Sequence, residues 1–190
     1  MLFDRVKSTR YDPAVGFYAS WAIWAHVPED DLRLLNDPPL LKELRTDVVM
    51  VALNPSARIP VPLRNFHGGW GGSGRLRHVF KVGTRGARYR GAYMTDFITT
   101  RVEVNSQKLS LTPVEVRENA GRFVQELNDL GGERPLILAF GKQAYQLVLE
   151  NVPPNKRGPV IGLPHYSYRG LNRNEDYSQA VWSLLPNGSA

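Results

Sequence analysis

Short apolar runs recur along the chain, and each one stops at a glycine, a proline or a polar residue. Four of these runs are continuous and rich in aliphatic or β-branched residues, which is typical of strands buried on both faces of a parallel sheet. We therefore predict strands over residues 47–53, 91–99, 135–140 and 159–163.

Segments with an apolar stripe at helical spacing separate these strands. The clearest begins at Thr112, a good N-cap that is followed by proline, and Glu115 completes a capping box. Asn174 is expected to cap the last helix. Further helices are predicted around residues 40–44, 76–82 and 142–150, and from Asp12 through Trp24 near the N-terminus.

The alternation of strands and helices predicts an α/β fold. We expect one domain over residues 1–190, a three-layer α/β/α sandwich around a mostly parallel, four-stranded central sheet. Sheets of this kind hold their ligands at the carboxyl ends of the strands. The residues found at those ends are Asn54-Pro55-Ser56, Asp96, Gly141 and His165.

The composition excludes several kinds of site. The 190 residues include no cysteine, so disulfides, iron–sulfur clusters and thiolate zinc sites are excluded. The four histidines show no i, i+4 pair, and we predict no metal and no cofactor. No apolar run approaches the roughly 20 residues of a membrane span, and no signal-peptide core is present. We expect a cytoplasmic protein that does not bind membranes and is a monomer.

Positive charge is concentrated in one part of the chain. The net charge is +6, and residues 48–95 contain no Asp or Glu. A basic stretch of this kind predicts a phosphate-rich partner, with a solvated basic face as the alternative. We expect Arg75 and Arg77 to contact the phosphates of this partner.

The strand ends carry motifs that resemble those of the uracil-DNA glycosylase superfamily. Leu53-Asn54-Pro55-Ser56 is similar to the first motif of the mismatch-specific and single-strand-selective branches, and His165-Tyr166-Ser167 is similar to the second motif. Met94-Thr95-Asp96 resembles the second-strand motif, and Ala139-Phe140-Gly141-Lys142 matches the family's layout. A related group of bacterial proteins, in which Leu-Asn-Pro-Ser is followed by a Gly-rich and Arg-rich stretch, is an alternative assignment.

The resemblance implies a DNA glycosylase that flips a damaged or deaminated base, such as uracil, out of DNA and hydrolyses its N-glycosidic bond in base-excision repair. Asn54 would orient the attacking water, because its amide can both donate and accept. His165 would donate a hydrogen bond to the base oxygen that gains charge. The partner would be single- or double-stranded DNA.

The resemblance also implies the residues that contact the base and the DNA. Phe66 would stack on the extruded base, although core packing is an equal alternative for this ring. Leu53 and Asp96 would complete the base pocket. The residues expected to contact DNA, besides the two arginines, are Ser56 and Ser167 at phosphates and Tyr168 and Arg169 as a wedge.

Two departures from the family pattern leave other functions open. Asp96 stands where the family has an asparagine, and Tyr166 replaces a proline. The alternatives are a nucleic-acid-binding protein of the same fold that does not cleave, and a hydrolase that acts on nucleosides or nucleotides.

Overall fold

The computed structural model describes residues 19–25, 33, 37–57, 63–67, 72–105, 108–131, 133–171 and 173–186. The strands in this part of the chain are β1 (Ala19–Trp21), β2 (Arg45–Ala52), β3 (Ala92–Asp96), β4 (Leu136–Phe140) and β5 (Val160–Leu163). The helices are α1 (Pro38–Leu41), α2 (Gly72–Phe80), α3 (Pro113–Leu130), α4 (Lys142–Asn151) and α5 (Asn174–Leu184), with a 3₁₀ turn at Ala87–Tyr89.

The strands form one five-stranded sheet in the order β1-β3-β2-β4-β5. The four predicted strands are all present and run parallel, with Val51 of β2 paired to Thr95 of β3 and to Ala139 of β4. The α/β fold with a mostly parallel central sheet is therefore confirmed. The sheet has one more strand than predicted, because β1 adds an antiparallel edge beside β3.

The predicted N-terminal helix is wrong where the structure describes it. Residues 19–21 form β1, and the hydroxyl of Ser20 donates to the carbonyl of Leu63 at 2.8 Å. The spacing of Trp21 and Trp24 fits a helix. A helix at this position would leave the N–H and C=O groups on the edge of β3 without partners, whereas the strand β1 pairs with them. The start of the predicted helix, from Asp12, lies outside the described residues.

The other predicted helices are present, although α1 covers Pro38–Leu41 rather than residues 40–44. Thr112 and Glu115 form the predicted capping box: the Thr112 hydroxyl accepts from the Glu115 N–H at 3.3 Å, and the Glu115 carboxylate accepts from the Thr112 N–H at 2.8 Å. Asn174 does not cap α5, because Arg173 occupies the N-cap position. Helix α2 begins at Gly72, earlier than predicted.

The helices cover the two faces of the sheet, which gives the predicted three layers. Alternate residues of each inner strand point to opposite faces. In β2, Val49 and Val51 pack against Phe123 of α3, whereas Val48 and Met50 belong to a second core with α2 and α5. No helix in the described segments is long and apolar enough to cross a membrane.

Candidate active site

A cleft of about 560 Å³ opens at the carboxyl edge of the sheet. The turn after β2 and the loop after β5 form two of its walls. Strand β4 lies between them, so the two walls are separated by two strand spacings, about 10 Å. The lining residues are Leu53, Asn54, Ser56, Glu103, Val104, Phe140, Gly141, Lys142, Gln143, Ala144, His165, Tyr166 and Ser167.

The amide of Asn54 is held in one orientation. Its NH₂ group donates to the carbonyl of Pro55 at 2.9 Å and to the carbonyl of Glu103 at 2.8 Å. Both bonds use the nitrogen, and within the described part of the chain no group donates to Oδ1. The half-buried Asn54 can therefore offer a fixed hydrogen-bond acceptor to a molecule in the cleft.

The loop after β3 holds this turn from the other side. The N–H of Glu103 donates to the carbonyl of Pro55 at 3.1 Å, and the Glu103 carbonyl is one acceptor of the Asn54 amide. The Glu103 carboxylate accepts from the N–H of Asn105 at 2.9 Å. Glu103 lines the cleft although nothing in the sequence indicates it, because it follows β3 at some distance and matches no motif.

His165 is held in one tautomer. Its Nδ1 accepts from the N–H of Ser167 at 3.2 Å and lies 2.7 Å from the Ser167 hydroxyl. A backbone N–H can only donate, so Nδ1 carries no proton and the neutral ring has its N–H at Nε2. Burial lowers the pKa of His165 below its usual value, which keeps the ring neutral near pH 7.

Gly141 makes the turn from β4 into α4 and lies next to His165. The φ angle of Gly141 is +91°, a conformation that favours glycine, and a Cβ built there would lie 3.5 Å from the His165 side chain. The residues that follow, Lys142 and Gln143, bring the first turn of α4 to the cleft. The N-terminal end of a helix is an electropositive wall.

The aromatic residues of the site form a connected cluster. Tyr166 stacks on His165 with ring centroids 4.2 Å apart, and its edge contacts Phe140 and Phe66 at 5.9 and 6.1 Å. Phe140 and Tyr166 line the cleft. Phe66 is only 8% exposed and packs in the core behind Tyr166, so the structure favours the core-packing alternative for this ring.

Asp96 is at the end of β3 but is covered. Its side chain is 1% exposed, and its carboxylate accepts from the Asn65 amide at 2.8 Å. Burial raises the pKa of Asp96 to about 7, against the opposing effects of Asn65 and the nearby Arg122. Asp96 is not among the described residues that line the cleft, whereas the predicted base-binding residue Leu53 is.

The side chains predicted to contact DNA differ in their exposure and in the hydrogen bonds that they already make within the protein. Arg75 donates to the carbonyls of Tyr166 and Tyr168 at 3.3 and 2.7 Å, and its guanidinium lies over the ring of Tyr177. Arg75 therefore holds the loop after β5 in place. Arg77 lies on another part of α2 and donates to the carbonyl of Ala25.

The tip of the same loop projects into solvent. Tyr168 is 56% exposed, and Ser167 and Arg169 are also exposed. Ser56 is exposed on the opposite wall, in the turn after β2. Among the residues that the structure describes, no group of three or more acidic or histidine side chains could hold a metal ion.

Comparison with known proteins places this geometry in a family. No curated protein matches the chain in a sequence comparison. The sequence model of the uracil DNA glycosylase superfamily matches residues 38–186, a range that contains β2 to β5 and both walls of the cleft. The chain therefore belongs to the uracil DNA glycosylase superfamily.

Proposed function

We propose that the protein is a DNA glycosylase that hydrolyses the N-glycosidic bond of a base flipped into the cleft between Asn54 and His165. One observation carries the proposal: the cleft presents a fixed acceptor, Asn54 Oδ1, on one wall and a fixed donor, His165 Nε2–H, on the other. Hydrolysis of a base–sugar bond needs both, because water attacks one end while negative charge grows on the other.

Each residue has a defined part in this reaction. Asn54 Oδ1 accepts a hydrogen bond from the water and aims its oxygen at the sugar carbon. The bond from carbon to base nitrogen breaks, and its electron pair moves onto the base. His165 donates from Nε2 to the base oxygen that becomes negative, and the neutral ring does not have to give up its proton.

The surroundings of the cleft suit a base and its phosphates. Phe140 and Tyr166 supply aromatic surface, and stacking of a base on such a ring contributes about 1–3 kcal/mol. Lys142 and the N-terminal end of α4 favour an anionic backbone. The exposed Tyr168 and Arg169 are suited to fill the gap that a flipped base leaves in a duplex.

The test is a glycosylase assay on labelled oligonucleotides that each carry one modified base: uracil, hypoxanthine, xanthine or a mismatched thymine, in single and double strands. We expect release of at least one free base and formation of an abasic site. Arg169→Ala should weaken DNA binding and flatten its dependence on salt, since fewer counterions are released. Release of no base from any substrate would contradict the proposal, and binding without release would favour the non-cleaving alternative.

A further inference from the structure

The orientation of Asn54 leaves one step of the proposed reaction without a group to perform it. The water that attacks the sugar must lose a proton. Asn54 can direct that water through Oδ1, but a carboxamide does not accept a proton at neutral pH. His165 has its proton on Nε2 and faces the leaving base, and its Nδ1 is occupied by the N–H of Ser167. Neither residue is a base for the water.

One residue of the cleft lining can accept a proton from the water. Of the described residues that line the cleft, Glu103 is the one carboxylic acid. It is half-buried, and its backbone makes two hydrogen bonds with the Asn54 turn: its N–H donates to the Pro55 carbonyl, and its carbonyl accepts from the Asn54 side-chain amide. The same contacts that orient Asn54 therefore fix the backbone of Glu103 beside it.

The Glu103 side chain is itself oriented. One carboxylate oxygen, Oε1, accepts from the N–H of Asn105 at 2.9 Å. A carboxylate accepts several hydrogen bonds, so Oε2 stays available for a water molecule. A negative charge in the cleft also stabilises the positive charge that develops on the sugar.

We propose that Glu103 is a further catalytic residue, the general base that takes a proton from the water held by Asn54. This inference rests on the proposed glycosylase function. The water oxygen forms a bond to the sugar carbon, the carbon–nitrogen bond breaks onto the base, and one water proton moves to the Glu103 carboxylate. Glu103 then returns that proton to solvent, and the base anion takes up a proton from solvent, so the products are the free base and the sugar hydroxyl.

Two variants of Glu103 separate chemistry from structure. Glu103→Gln keeps the backbone bonds to the Asn54 turn and keeps an oxygen for the Asn105 N–H, but it cannot take a proton. Glu103→Ala leaves space in which formate can act as a substitute base. Glu118→Gln, at an exposed position on α3, is the matched control for removal of one negative charge.

Single-turnover base release is measured on the oligonucleotide that the wild-type protein cleaves best, and affinity is measured on the same oligonucleotide with a non-cleavable sugar. We expect Glu103→Gln to be slower by roughly 10²-fold or more, the usual effect of losing a general base. Its affinity should be unchanged, Glu118→Gln should match wild type, and formate should accelerate Glu103→Ala but not Asn54→Ala.

The outcomes distinguish this inference from the function on which it rests. If the wild-type protein releases no base, the proposed function fails. If the wild-type protein is active, the assignment of Glu103 is overturned by any of three results: a wild-type rate in Glu103→Gln, a loss of affinity as large as the loss of rate, or no response of Glu103→Ala to formate.

Discussion

The ends of β2 and β3 are neighbours in the sheet, yet they differ in what surrounds them. Asn54, two residues past β2, is half-buried and lines the cleft. Asp96, the last residue of β3, is 1% exposed and bonded to Asn65. Both follow the rule that polar residues of parallel sheets gather at the carboxyl edge.

The difference lies in the loops that cover the two strand ends. Two hydrogen bonds with the Glu103 backbone hold the Asn54 turn, and no group in the described part of the chain donates to the Asn54 amide oxygen. The Asp96 carboxylate is instead buried, and it accepts a hydrogen bond from Asn65 in another turn. A polar residue at a strand end therefore reaches the carboxyl edge of the sheet, but loop packing determines whether it can meet a ligand.

The largest effect that we expect from this contrast is on stability at Asp96. Burial raises its pKa from 3.8 to about 7, so the folded protein holds the proton more tightly than the unfolded chain. Stability from this group is complete below about pH 4 and decreases as the pH rises through 7. Asn cannot ionise, so Asp96→Asn should be more stable than wild type by roughly 4 kcal/mol at pH 8 and nearly equal to it at pH 4.

Urea unfolding of both proteins at several pH values measures this difference. A constant difference from pH 4 to pH 8 would mean that Asp96 does not titrate in a buried site.

The Asp96→Asn variant also tests whether this side chain contacts the base. If Asp96 is covered, the variant should release the base at the wild-type rate. A faster uracil release by Asp96→Asn would show that this side chain reaches the base, as the side chain of Asn54 is proposed to reach the water.

The next effect concerns the open wall at His165. His165→Ala removes the Nε2–H donor and should slow single-turnover base release by roughly 10²-fold, the usual effect of losing one donor to a developing anion. Ser167→Ala is the matched control. It retains the backbone N–H that fixes the tautomer, so its loss should be clearly smaller. Equal losses in the two variants would assign the effect to the loop rather than to the imidazole.

The smallest effect is expected at Arg75, which joins α2 to the loop after β5. Its guanidinium donates to the carbonyls of Tyr166 and Tyr168. Loss of hydrogen bonds from a charged donor lowers the free energy of unfolding by about 2 kcal/mol, which urea unfolding of Arg75→Ala can measure. The salt dependence of DNA binding should change less than in Arg169→Ala. The opposite order would mean that Arg75 contacts phosphates directly.

The sequence predicts much of the fold because its local signals agree with one another. The four apolar runs are strands, and Thr112 and Glu115 cap α3. The one strand that the sequence does not predict, β1, is only three residues long. Its pairing with β3 is a tertiary contact that the spacing of apolar residues does not reveal. The same spacing of Trp21 and Trp24 is compatible with a helix.

Motifs at strand ends predict part of the site. Residues that reach the site from a distant part of a loop have no such signal in the sequence. Asn54 and His165 line the cleft as expected. Glu103 lies seven residues after the end of β3, and its backbone forms hydrogen bonds with Pro55 and with the side chain of Asn54. Nothing local in the sequence indicates these contacts. The sequence places Asp96 at the end of a strand. Its hydrogen bond with Asn65 is a tertiary contact that the sequence does not show.

We propose that Asn54 directs the water that cleaves the base from the sugar, and single-turnover base release by Asn54→Ala measures this role. The substrate is the oligonucleotide that the wild-type protein cleaves best, with affinity measured on a non-cleavable analogue. We predict that the rate falls by roughly 10²-fold or more while the affinity stays close to that of wild type. A variant that releases the base at the wild-type rate would contradict the claim.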